Sequence, residues 1–252
     1  TLLISILTIL LVYSWTTQLY GSQAGIFSAL LMSLCPNNLA NAALVTTDSY
    51  SSLFLLAPLF YLWKFYKYNK KSDFILFCVC VAFAQLVKQS LFHLYVIIPL
   101  LLIMLFIRNP DRFKRGAFLK GLFFFILINW LVINAGYYFF ETNTLLGNYT
   151  FKSELFNTVQ RYFPSSFPVP FPKPFVDGLE MTKYYDQIGG GYTNISSFGK
   201  VTILNQSSTG GSFWYYYFVT IFFKTPISFL IFFLAAIAIT FSKATKASLF
   251  SN

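Results

Sequence analysis

The apolar residues of this chain come in long blocks, separated by short turn or charge clusters. Residues 1–20 form the first block, unbroken and about long enough to span a membrane as a helix. Tyr20-Gly21-Ser22 predicts a turn, and the next apolar run, 24–35, stops at Pro36. At 1.5 Å per residue that run reaches only about 18 Å, short of a hydrocarbon core of roughly 30 Å. The following stretch, 36–48 with the sequence PNNLANAALVTTD, is partly polar. Polar groups at membrane depth need protein or a wet cavity around them, so this element is expected to border such a cavity.

Apolar blocks resume at 50–63, 74–87, 91–107 and 117–140. Residues 141–212 are the single long hydrophilic segment. They hold five of the ten prolines, Pro164, Pro168, Pro170, Pro172 and Pro174. That density argues against a spanning helix. The run FWYYYFVTIFF, 213–223, has the aromatic character of a membrane interface, and Lys224-Thr225-Pro226 breaks it before a last apolar block at 227–241. The pattern predicts an all-α polytopic membrane protein with about seven transmembrane segments. Its expected organisation is a transmembrane helical region, 1–140, a non-cytoplasmic loop region, 141–212, and a final region, 213–252, with the interfacial aromatic element and the last transmembrane helix.

Composition supports this class. Of 252 residues, 56% are hydrophobic and 10% charged, against about 25% charged in soluble domains. So few charges could not cover a water-soluble surface, and a chain this apolar is not a disordered one. The net charge of +10 raises nucleic acid as a partner, but its placement argues for topology instead. Eleven of the 18 Lys and Arg lie in three clusters: Lys64, Lys67, Lys70 and Lys71; Arg108, Arg112, Lys114, Arg115 and Lys120; Lys243 and Lys246. Each cluster flanks an apolar block, as cytoplasmic loops do. Lys67 and Arg112 are therefore expected in the cytoplasm, Asn148 and Asn205 outside it. The expected partners are membrane lipids, with no nucleic acid. Cys35, Cys78 and Cys80 show no metal or redox spacing and read as small apolar residues.

Three ionisable residues stand out. Asp48 follows the short block and the cavity-bordering stretch, and an ionisable group near membrane depth is a functional candidate; a helix cap formed with Thr46 and Thr47 is the structural alternative. Lys88 interrupts two apolar blocks. It reads either as a compact charge for a phosphate or as a side chain snorkelling to the interface. Lys224 ends the aromatic element, with the same two readings. His93, the single histidine, has no evident catalytic partners and reads as structural. Glu154, Asp177, Glu180 and Asp186 read as solvated loop charges, and the run Gly189-Gly190-Gly191 as a turn. No residue set is assigned to a metal; a divalent ion stays open.

Three stretches together resemble a known family. PNNLANAALVTTD is similar to a conserved-pattern segment of glycosyltransferase family 39-like membrane proteins, as is LVKQS after an apolar helix. The most specific likeness is GGSFWYYYFVTIFFKTPISFL, which resembles the family's aromatic segment ending in Lys-Thr-Pro. The order also matches, with PVPFPKPFVDGLE between, so the likeness runs from Thr1 to about residue 241. It implies a GT-C membrane fold related to protein O-mannosyltransferases and aminoarabinose transferases. The implied activity is transfer of a sugar from a polyprenyl-phosphate-linked donor to an acceptor (protein, lipid or glycan) on the non-cytoplasmic side. The spelling of the motifs resembles the bacterial branch, which favours a bacterial inner membrane over an endoplasmic reticulum membrane. In this frame Asp48 is a second, supporting acid, and Lys88 and Lys224 contact the lipid phosphate; Asp48 and Lys88 are expected on the same, non-cytoplasmic side, facing one cavity. The family's main catalytic base lies in an Asp-Glu pair after its first helix. Residues 1–20 resemble the family's second helix, so that base is expected upstream of Thr1, and the chain is expected to be a fragment, inactive alone. Two rival readings are a flippase or transporter for lipid-linked sugars and a non-catalytic membrane assembly subunit.

Overall fold

The computed structural model of the protein describes residues 1–108, 115–187, 201–203, 206–208 and 215–241. Arg112, Lys114, Asn205, Lys243, Lys246 and the glycine run at 189–191 lie outside the described residues. The chain divides into two compact units, 1–187 and 188–252, with the division falling inside the long hydrophilic segment.

In the first unit the turn at Gly21 (φ 93°) separates α1, Leu2–Tyr20, from α2, Ser22–Ser33. The two helices pack closely at Gly25, where a Cβ would lie 1.9 Å from the Thr17 hydroxyl and 3.1 Å from the Tyr13 carbonyl. Pro36 sits in the first turn of α3, Pro36–Ala43, where its missing N–H costs nothing. A sharp bend of 120° then leads into α4, Asp48–Tyr68. Asn69 in the left-handed region (φ 52°) closes α4, and α5, Lys71–Val87, runs back against it. A 3-10 turn, Gln89–His93, joins α5 to α6, Leu94–Arg108, and α7 is Arg115–Gly136. Pro58 and Pro99 lie inside α4 and α6 without ending them, as membrane helices tolerate when neighbouring groups re-satisfy the backbone.

The main core lies between α4, α5, the 3-10 turn and α6. It is built from Leu62, Phe77, Val81, Ala84, Leu91, Leu94 and Ile98 around a fully buried Cys78. All three cysteines are free. Many large apolar side chains point outward, including Leu100, Ile103 and Met104 on α6 and Phe123, Phe124 and Ile126 on α7. An exposed apolar surface on long apolar helices is the surface of a protein solvated by lipid.

The protein is an all-α integral membrane protein. The sequence suggested about seven transmembrane segments. Among the described residues, three helices are long and apolar enough to cross by themselves, Leu2–Tyr20, Gln89–Ile107 and Phe118–Gly136, and a fourth span arises if the bent α3–α4 pair counts as one. The difference has a physical source. α2 and α5, with 12 and 17 residues, reach about 18 and 26 Å, less than the core thickness.

Up to residue 187 the hydrophilic segment is folded rather than loose. Past α7 the chain turns through left-handed residues at Tyr138, Phe139, Glu141 and Asn143. Residues 143–147 then lie alongside 165–169, with backbone hydrogen bonds from Leu146 to the Phe167 carbonyl (2.9 Å) and from Val169 to the Thr144 carbonyl (3.0 Å). Two helices follow this pattern, α8, Glu154–Tyr162, and α9, Lys173–Gln187. They enclose a small core of Leu146, Tyr149 and Val176 with Phe151, Phe156 and Phe171. Glu180, read from the sequence as a solvated charge, is buried: its Oε1 accepts the backbone N–H groups of Lys152 (2.6 Å) and Ser153 (2.8 Å). It thereby fixes the chain entering α8. The Tyr149 phenol is buried with no hydrogen-bond partner among the described residues. Burial, reinforced by the nearby negative charges of Asp177 and Glu141, pushes its pKa up to about 12.

In the second unit a short antiparallel hairpin, β1 (Val201–Ile203) with β2 (Gln206–Ser208), precedes α10, Tyr216–Lys224, and α11, Ile227–Phe241. Pro226 stands at the break between the two helices.

Candidate functional site

Because α4 and α5 run in opposite directions, the first residue of α4 and the residue after α5 come to the same end of the pair. Asp48 is that first residue, and Lys88 that following one. The Lys88 ammonium donates to Asp48 Oδ1 at 2.8 Å. Each charge also sits where the helix dipole favours it, the carboxylate at an N-terminus and the ammonium at a C-terminus. No side-chain capping hydrogen bond is made at the start of α4, and its N-cap residue is Thr47. The Asp48 carboxylate is directed to Lys88 instead.

The side chains of Asp48 and Lys88 are 51% and 43% exposed. Pairs this open contribute about 1 kcal/mol or less to stability. Such a pair holds two opposite charges in register while leaving both accessible to a third group.

Polar side chains gather near the start of α4. A small cleft of 130 Å³ is lined by Met32, Cys35, Asn37, Asn38, Asn41, Ser49 and Ser52. It draws on the partly polar stretch that the sequence placed beside a cavity, although neither Asp48 nor Lys88 lines it. Within it Ser49 donates to the Asn41 carbonyl (2.9 Å), which ties the bent junction between α3 and α4, and Asn38 donates to the Met32 carbonyl (3.2 Å), which ties α3 to α2.

Past Lys88 the surroundings are apolar. A cavity of 340 Å³ is lined by Phe92 and Tyr95, by Phe125, Ile126, Trp130 and others of α7, and by Phe156, Phe171, Phe175, Val176 and Leu179 of the hydrophilic segment. The polar atoms at its edge are occupied: Tyr95 donates to Asn129 Oδ1 (2.8 Å), and Trp130 donates to the Pro170 carbonyl (2.7 Å). A hydrocarbon chain suits such walls better than a polar molecule does.

Lys224, the third candidate from the sequence, is the last residue of α10 and belongs to the second unit. His93 contacts the Ser90 carbonyl through Nδ1, a local tie within the 3-10 turn. Sequence reasoning missed Gln85 and Gln89. Gln85 is buried and donates to the Leu91 carbonyl at 3.2 Å, which braces the Lys88 turn from below. A polar residue inside an otherwise apolar helix was the available signal. Among the described residues, no three His, Cys, Asp or Glu side chains gather as metal ligands.

Residues 1–133, more than half of the chain, match the family model described as dolichyl-phosphate-mannose-protein mannosyltransferase. The chain belongs to this family of membrane glycosyltransferases. No curated protein and no solved structure matches it. The matched stretch contains both Asp48 and Lys88 and ends before the hydrophilic segment and Lys224.

Proposed function

We propose that the protein transfers a sugar, with mannose the first candidate, from a polyprenyl-phosphate-linked donor to an acceptor hydroxyl on the non-cytoplasmic side of the membrane. The membrane is proposed to be a bacterial inner membrane. The observation that carries this reading is the accessible Lys88–Asp48 pair, 2.8 Å apart, at one end of α4 and α5. A glycosyl donor of this class leaves a lipid phosphate behind, and a cation aimed at the developing negative charge lowers the barrier. Lys88 supplies such a cation, as a compact charge on a flexible stem. Asp48 holds the ammonium in place before the donor arrives and supports the acid–base chemistry at the acceptor hydroxyl as a second acid. The apolar cavity beginning at Phe92 offers a surface for the carrier's hydrocarbon chain. Lys224 is proposed as a second phosphate contact, on the family resemblance of its Lys-Thr-Pro motif.

The test is transfer from a polyprenyl-phosphate mannose by the full-length protein. Lys88→Ala and Asp48→Asn are each expected to cut the rate by about tenfold or more, roughly 1.4 kcal/mol per decade, with expression unchanged. Parent rates in both variants would remove the pair from the site. Sidedness is tested by single cysteines in a cysteine-free background in intact cells. Position 148 should react with an impermeant reagent from outside and position 67 should not; the reverse pattern would invert the topology.

A further inference from the structure

The turn that carries Lys88 is held from outside by the hydrophilic segment. Gly178, on α9, faces the Gln89 side chain so closely that a Cβ there would lie 1.9 Å from Gln89 Nε2 and 2.9 Å from Gln89 Cδ. One helical turn further along, the Thr182 hydroxyl lies 3.2 Å from Gln89 Oε1, positioned to donate to it, and also 2.9 Å from the Gly178 carbonyl. The Gln89 amide therefore lies in a notch on α9 that exists because residue 178 has no side chain. Lys88 itself has extended backbone geometry between α5 and the 3-10 turn. The ammonium reaches Asp48, and the backbone that carries it is flanked by two anchored residues: Leu91, whose carbonyl accepts from Gln85, and Gln89, held by α9.

We infer that Gln89, Gly178 and Thr182 are positioning residues for phosphate binding, coupling the exterior helix α9 to the direction of the Lys88 ammonium. The inference rests on the reading of Lys88 as the phosphate contact. Lys88 lies on a flexible stem in a pair that is half open to solvent, so the pair alone does not fix it. A contact that locks the next residue removes part of the freedom that phosphate binding would otherwise have to quench. The sequence separation between Gln89 and Thr182, 93 residues, means the contact exists only when the hydrophilic segment is folded onto the helices.

The experiment measures binding of two probes to the full-length protein in nanodiscs, a polyprenyl monophosphate and the matching uncharged polyprenol. The ratio of the two affinities isolates the phosphate contribution from that of the chain. Gly178→Ala moves the Gln89 amide, the far end of a flexible side chain, rather than any backbone. It is expected to lower the monophosphate affinity by about fivefold, about 1 kcal/mol, and to leave polyprenol binding as it was. Thr182→Val should do the same and Thr182→Ser should restore the parent ratio. Gly116→Ala, which meets nothing within 4 Å, is the control and should change neither probe. In a Lys88→Ala background Gly178→Ala should have no further effect, because the two act through one group. A parent ratio in both Gly178→Ala and Thr182→Val, with Lys88→Ala reduced, overturns the inference and leaves the proposed function standing. Equal losses for both probes also overturn it, since the contact would then serve the fold alone. A parent ratio in Lys88→Ala overturns the proposed function itself.

Discussion

Helices α4 and α5 carry an ion pair at each end of their packed length, and the two pairs are built differently. At one end Lys64 meets Asp73 at 3.2 Å with the carboxylate only 4% exposed. The Lys64 ammonium also lies over the rings of Phe60 and Tyr61, at 5.5 and 5.7 Å from their centroids. At the other end, about 24 Å along α4 from Lys64, Asp48 and Lys88 are both about half exposed. In the first pair the carboxylate is buried, and its Oδ2 has no hydrogen-bond partner among the described residues, so it depends on the Lys64 ammonium. The second is open, where a third group can reach it. Charge alone does not distinguish them; burial does, and burial separates a pair that holds the fold from one suited to a ligand.

The largest effect should come from breaking the enclosed pair. Lys64→Ala leaves the Asp73 carboxylate buried without its cation and is expected to destabilise the purified protein by about 3 kcal/mol, read as a clear fall in melting temperature. Asp73→Asn should cost less, since the Lys64 ammonium it leaves unpaired is 27% exposed and can be solvated. A Lys64→Ala melting curve that overlays the parent's would erase the contrast.

The open pair should respond in the opposite sense. Lys88→Ala is expected to change stability by about 1 kcal/mol or less while reducing sugar transfer as stated above. Loss of folding in that variant, comparable to Lys64→Ala, would make the two ends equivalent after all.

The smallest effect concerns the small core of the hydrophilic segment. The Tyr149 phenol, raised to about 12 by burial and neighbouring carboxylates, stays neutral in the folded state while an unfolded tyrosine ionises near 10. Its folded pKa lies above the unfolded one, so the linked stability is complete below about pH 10 and is lost as pH rises through the folded value. Tyr149→Phe should match the parent at neutral pH and fall less steeply between about pH 10 and 12. Parallel stability curves for the two proteins across that range would show that the phenol is not buried.

Much of the architecture could be read directly from the chain. The turn at Gly21, the short second block and the stop at Pro36 were all visible, because Gly, Pro and apolar block length act locally. Asp48 was singled out as a charge after the short block and the partly polar stretch, and Lys88 as a charge interrupting two apolar blocks. The sequence placed both on one side facing one cavity; it did not show that they form a direct ion pair, a contact across 40 residues. Nor did it show the burial of Glu180, whose surroundings in sequence are as polar as those of a surface loop.

The sequence by itself determined that this is a helical membrane protein, where its blocks begin and end, and which charges are anomalous for their positions. These follow from composition and from local preferences that need no partner. Only the tertiary structure decided which of two similar ion pairs is enclosed and which is open, and that α9 closes over Gln89 at Gly178. Those outcomes depend on helix packing between residues far apart in the chain, where a few ångströms of approach decide whether a charge meets lipid, protein or a ligand.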